Sequence, residues 1–159
     1  MSVDLTRRLL ALGLVHRDDV QQALFAHVAR QVPLVKLLSE TASLSAIALD
    51  EELSRHDAPA VRSVQPLARL VEALPPGLCR ALLALPVRQD VFTRTVDVAV
   101  TDPHDRHVER EFGYHLQAPI RLLRASISSI EEALRRLEHG DVPPPEPPRP
   151  SFDRAERIM

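Results

Sequence analysis

The sequence predicts an α+β fold in which duplicated N-terminal helical hairpins pack on a small three-stranded sheet lobe with covering helices. Three observations predict it. Apolar residues recur at helical spacing through the first third of the chain, starting with Leu5, Leu9 and Leu12. The period then changes to two in "RTVDVAVT", where Val96, Val98 and Val100 alternate with Asp97 and Ala99. From there the pattern runs strand, strand, helix, strand, helix, which places helices over a small sheet.

Composition sets the bounds. The 159 residues make one domain or two small lobes sharing a core. Apolar residues are 45% and aromatics only 3%, with no Trp, so the core must be Leu, Val, Ala and Ile. Few aromatics means few stacking faces for single-stranded nucleic acid. A net charge of −2 provides no basic field, so no nucleic-acid partner is expected. Lys36 is the sole lysine, and clustered arginines remain available for bidentate contact with phosphate or carboxylate. No run approaches the ~20 apolar residues of a spanning helix, and the N-terminus does not read as a signal peptide. A cytoplasmic protein without direct membrane insertion is the expectation. Cys79, alone in the helical pattern "PPGLCRALLAL", reads as a buried structural thiol.

The first lobe, 1–56, reads as four short helices. Gly13 ends the first. Asp18 and Asp19 open the second, at the dipole end that favours negative charge, with Val20, Leu24 and Val28 as its apolar face. Pro33 precedes the third, and Ser45 is placed to cap a fourth carrying Leu49 and Leu53. The second lobe, 57–140, opens with an extended piece, "APAVRSV". Two small helices follow, split by Pro75-Pro76. A hairpin is expected around Asp90, one face of "VDVAV" buried. A helix from about His104, the strand "APIRLLR" and a helix after Ser126 complete it. The tail, 141–159, is proline-rich and is expected to be disordered and extended.

A shift of 29 residues lays the first lobe on itself. Leu5 falls on Leu34, Leu9 on Leu38, Leu24 on Leu53 and His27 on His56. Gly13 falls on Ala42, Val15 on Leu44, and Val20 on Leu49. Two such hairpins form one pseudo-symmetric unit, each burying the other's apolar face.

This repeat, with "LPPGLCRALLALPV", "VDVAVTDPHD" and "RASISSIEEALRRL" further on, resembles the N-terminal domain of the ATPases that drive type II secretion and type IV pilus assembly. Some members, called MshEN domains, bind cyclic-di-GMP through a twice-occurring R-L-G-x-x-L-x-x-x-G motif. The resemblance spans roughly Asp4 to Leu137. It implies a cytoplasmic regulatory or adaptor module that docks on proteins of the secretion or pilus machinery. The alternative it implies is a cyclic-di-GMP receptor. The ligand contacts so implied are Leu5, Leu9, Gly13, Leu24, His27, Leu34, Leu38, Leu53 and His56, with Arg7 and Arg8, one turn away, as substitutes for the missing motif arginines. The motif itself is degraded. Asp4 and Pro33 stand at its arginines, Thr6 and Val35 at its glycines, and His27 and His56 at its terminal glutamines. Asp4 in place of an arginine repels a dianionic ligand.

The stretch "TDPHDRH" puts two Asp and two His close together, a candidate metal cluster. Its chemistry fits a strand-to-helix turn better. Asp102 can cap free backbone N–H groups, and Pro103 fits a first helical position. His104 and His107 are spaced i, i+3, whereas helical ligand pairs usually take i, i+4. No metal or other cofactor is expected. Four scattered glycines build no G-x-x-x-x-G-K-[ST] loop, and no G-x-S-x-G occurs, so the expectation is not an enzyme. The sequence leaves the oligomeric state and the partner's identity open.

Overall fold

The computed structural model describes residues 2–41, 44–56, 60–61 and 63–140. The proline-rich tail lies outside the described residues, as do Asp57, Ala58, Pro59 and Arg62 of the extended piece and its approach. The architecture is α+β, as the sequence predicts. Helices α1 (Ser2–Ala11), α2 (Arg17–Arg30), α3 (Leu34–Thr41) and α4 (Ala46–His56) come first. The short helices α5 (Ala68–Glu72) and α6 (Leu78–Leu82) follow. Then come strands β1 (Ala84–Gln89) and β2 (Val96–Val100), helix α7 (Arg106–Leu116), strand β3 (Ile120–Arg124) and helix α8 (Ile127–Glu138).

The 29-residue shift reappears in the fold. Helices α2 and α4 start at Arg17 and Ala46, 29 residues apart. Leu5 and Leu34, Leu9 and Leu38, Val15 and Leu44, and Val20 and Leu49 are buried pair by pair. On α2 the buried stripe is Val20 and Ala23, with Leu24 and His27 partly covered, the i, i+3, i+4, i+7 pattern of a core-facing helix. Val28 sits one step off that stripe and is 75% exposed, contrary to the expected apolar face.

The sheet order is β1-β2-β3. β1 and β2 form the expected hairpin, antiparallel, with a bulge between Pro86 and Arg88. Asp90 shapes its turn by accepting from Phe92 N and Thr93 N, both at 2.8 Å. β3 runs parallel to β2, with α7 as the crossover that a parallel pair requires. β2 is therefore central, and all five of its residues are buried. The expectation of one buried face is corrected on that ground: Ala99 joins the core and Asp97 is covered as well.

Helix α7 starts two residues later than expected, and its cap is Asp105, not Asp102. Asp102 Oδ1 accepts from His104 N at 2.9 Å and its carbonyl accepts from Asp105 N at 3.2 Å. That closes a separate turn before the helix. Asp105 Oδ1 then accepts from His107 N and Val108 N. At the other end Gln117 adopts φ 49°, ψ 45°, the left-handed conformation that glycine usually supplies at a helix C-terminus.

Polar contacts join the first four helices to the rest of the fold. Asp50 of α4 accepts from Ile127 N at 2.7 Å and from the Ser128 hydroxyl at 3.2 Å, capping α8 alongside its own Ser126. Lys36 of α3 donates to Arg80 C=O at 2.6 Å. One continuous apolar cluster runs from Leu5 through Leu49, Leu85 and Phe112 to Leu134. Among the described residues no helix is long and apolar enough to cross a membrane.

Candidate functional site

The implied ligand residues divide by depth. Leu5, Leu9, Leu34, Leu38 and Leu53 are at most 5% exposed, so their side chains fill the core. Thr6 and Val35, at the motif's glycine positions, are buried too. Leu24 is half-buried. Gly13 holds φ +68° in the turn between α1 and α2, a conformation that costs a side chain energy. His27 Nδ1 lies 2.6 Å from Val32 C=O, tying the end of α2 to the following turn. The side chain of His56 lies outside the described residues.

The two arginines part company. Arg7 is exposed. Arg8 turns toward α4, with its Nε 3.3 Å from Glu52 Oε1. The charges pair, but the approach is not aligned as a hydrogen bond. Glu52 is 3% exposed, and Arg55 Nη1 reaches its other oxygen at 3.5 Å. The repeat explains the geometry: Glu52 is the equivalent of buried Ala23, and a carboxylate at a core position needs a cation. Beside it, Leu12, Leu14, Ala48, Glu51, Glu52 and Arg55 line a cleft of about 250 Å³. Leu12 and Leu14 remain 53% and 42% exposed at its rim. The structure thus brings Arg8 to Glu52 and leaves Arg7 outward.

The other carboxylates hold the fold. Asp102 and Asp105 face backbone N–H groups in the turn before α7. No group of metal-ligating side chains occurs among the described residues. Asp97, the second residue of β2, takes Arg121 through Nε–Oδ1 at 2.7 Å and Nη2–Oδ2 at 2.8 Å. Arg88 reaches Oδ2 at 2.6 Å. Burial pushes the Asp97 carboxyl up, but the hydrogen bonds and charges of Arg121 and Arg88 outweigh it and hold it below the usual range. Burial pushes the Cys79 thiol up to about 11, so it is inert at neutral pH.

Sequence reasoning missed Glu52, Asp50 and the Asp97 triad. A signal existed for two of them. An acid inside a run of valines requires a partner, and Glu52 falls on Ala23 under the 29-residue shift. Nothing local marked Asp50, whose partner is a helix end 77 residues away.

Comparison with known proteins gives three findings. The family model described as the MshEN domain matches residues 53–143. The match opens in the last turn of α4 and takes in the sheet lobe rather than α1 to α3. Among solved structures, that of MshE with cdg is 23% identical, with a TM-score of 0.46, covering 86% of this chain and 97% of that one. The N-terminal domain of XpsE is 17% identical, with a TM-score of 0.44, covering 83% and 92%. No curated protein sequence matches.

Proposed function

The chain belongs to the MshEN domain family, and from that premise we propose that it is a non-catalytic regulatory module that acts by docking on another protein. The proposed setting is cytoplasmic, at components of a secretion or pilus machinery. One observation carries the reading: the acids and cations that come together here are engaged in holding the fold. Asp97 joins three strands' worth of charge, Asp50 and Asp105 cap helices, and Glu52 holds Arg8. General acid–base or nucleophilic work needs a group poised in a cleft with a reactive pKa. The inert Cys79 and the anchored Asp97 do not meet that need.

The test is calorimetric titration of the purified chain. The titrants are the motor ATPase and the cytoplasmic domain of an inner-membrane component from the same genome. Saturable, stoichiometric binding to one of them, or a changed ATPase rate on addition, is expected. No heat and no rate change with either would sink the reading.

A second reading, a cyclic-di-GMP receptor, is favoured by the preserved duplication and the exposed Arg7. Titration with cyclic-di-GMP, with cyclic-di-AMP and GTP as controls, separates the two. Saturable heat from cyclic-di-GMP alone favours the receptor. The capture of Arg8 by Glu52 leads us to expect none.

A further inference from the structure

The outer edge of β3 carries backbone groups that have no partner among the described residues. Val96 N–H donates to Pro119 C=O, and Ala125 N–H donates to Val100 C=O. The odd-numbered residues of this strand therefore turn their polar groups toward β2. Residues of even number turn theirs outward, since the ladder alternates. Val61 N–H bonds Arg124 C=O at 2.8 Å on that outer side, in agreement with the parity. The outward N–H and C=O of Ile120 and Leu122 have no such partner among the described residues. Exposed strand edges are templates for another chain, and folds usually cover or blunt them.

A groove adjoins this edge. Arg106, Glu109, Arg110 and Gly113 of α7 face Ala118, Pro119 and Ile120 around about 730 Å³. A Cβ at Gly113 would stand in ordinary contact, 3.6 Å from Ala118 C=O and from Ile120 Cγ1, so α7 passes close to the start of β3 here. Arg106 and Arg110 are exposed, and neither pairs with a described residue. They outnumber Glu109, which gives the groove an unspent positive charge.

Resting on the docking reading above, we infer that β3 and α7 receive an extended, acidic segment of a partner protein. Its backbone adds a strand at Ile120 and Leu122, and its carboxylates meet Arg106 and Arg110. Strand addition supplies affinity through main-chain bonds and specificity through side-chain sites beside the edge. The charge selects the occupant. A second copy would bring the same arginines against themselves, whereas an acidic strand pairs them.

The experiment uses the full chain and a short N-acetylated peptide alternating Val and Glu, with a Val and Lys counterpart. Binding is followed by fluorescence anisotropy and by amide exchange. The acidic peptide is expected to bind in the micromolar range and to protect the amides of Ile120 and Leu122, and the basic peptide not to bind. Leu122→Pro removes an outward N–H without touching the β2 ladder and is expected to abolish binding. Arg106→Glu with Arg110→Glu, on an exposed helix face, is expected to weaken it by about tenfold or more while leaving the melting curve in place. Equal binding of both peptides, or binding indifferent to these substitutions, overturns the inference. So does concentration-dependent dimerisation that Leu122→Pro removes, which assigns the edge to a second copy. The two readings fail separately. If a machinery component binds wild type and these variants equally, docking stands and the edge does not carry it. If none binds, the docking reading itself fails.

Discussion

Replacing Asp97 by Ala removes the one buried acid of the sheet. The carboxylate is 3% exposed and receives short bonds from Arg121 and Arg88. Hydrogen bonds to a charged group contribute about 1.5–3 kcal/mol each when measured by deletion. Breaking a fully buried ion pair costs about 3–5 kcal/mol, because a charge is stranded. Here the stranded arginines are 69% and 56% exposed at the side chain and regain water. The loss should therefore fall near 2–3 kcal/mol, or a Tm lower by roughly 5–10 °C for a domain of this size. Arg88→Ala and Arg121→Ala each take bonds from the buried carboxylate and should each cost about 1.5–3 kcal/mol. Acid adds a sign. The folded pKa of Asp97 is depressed, so its contribution is complete above the unfolded value of about 3.9. It is lost as pH falls through the folded value. Urea melts of wild type and Asp97→Ala, run from neutral pH downward, are the assay. A difference within about 0.5 kcal/mol at neutral pH, or a gap that does not narrow in acid, would refute the account.

Gln117→Gly should stabilise by about 0.5–1 kcal/mol, since it relieves a left-handed side-chain residue at a helix end; a lower thermal midpoint would contradict this. Asp50→Ala should cost about 1–2 kcal/mol and combine non-additively with Ser126→Ala, because both serve the first turn of α8; strict additivity in chemical melts would argue against a shared cap. Cys79, with its thiol pushed up to about 11, should resist iodoacetamide at mildly alkaline pH in the folded protein and react promptly in denaturant; mass spectrometry decides.

The helices were legible because burial follows a local period. Leu5, Leu9, Leu34 and Leu38 declare their faces, and Ser126 and Pro33 mark helix starts with residues of known backbone preference. The hairpin was legible for the same reason. What failed was whatever depends on a distant neighbour. Alternation in "VDVAV" reads as a half-exposed strand, yet paired strands on both sides, with Arg88 and Arg121 laid against Asp97, leave all five residues buried. Asp102 and Asp105 are both good caps by residue type. Only the turn that Asp102 closes with Asp105 decides between them. The candidate site was least legible. Its residues were carried over from a motif, and burial of its leucines and the engagement of Arg8 depend on how α1 meets α4.

The places where the duplication breaks carry the functional weight. Two copies of one hairpin pack symmetrically as long as matched positions stay apolar, and Leu9 with Leu38, or Val20 with Leu49, keep that rule. At Ala23 and Glu52 the copies diverge, and a buried carboxylate enters one side only. A buried charge demands a counter-charge, and Arg8, on the facing helix, provides it. An arginine held by the fold is no longer free to meet a phosphate. Glu52 thus ties Arg8 to the scaffold, within an intact leucine frame. The unengaged cations of the sheet lobe, Arg106 and Arg110, lie instead beside the open edge of β3. Arg7 keeps an exposed cation on the repeat, whereas the groove combines two such cations with an open strand edge, which is why the proposed docking segment is sought there.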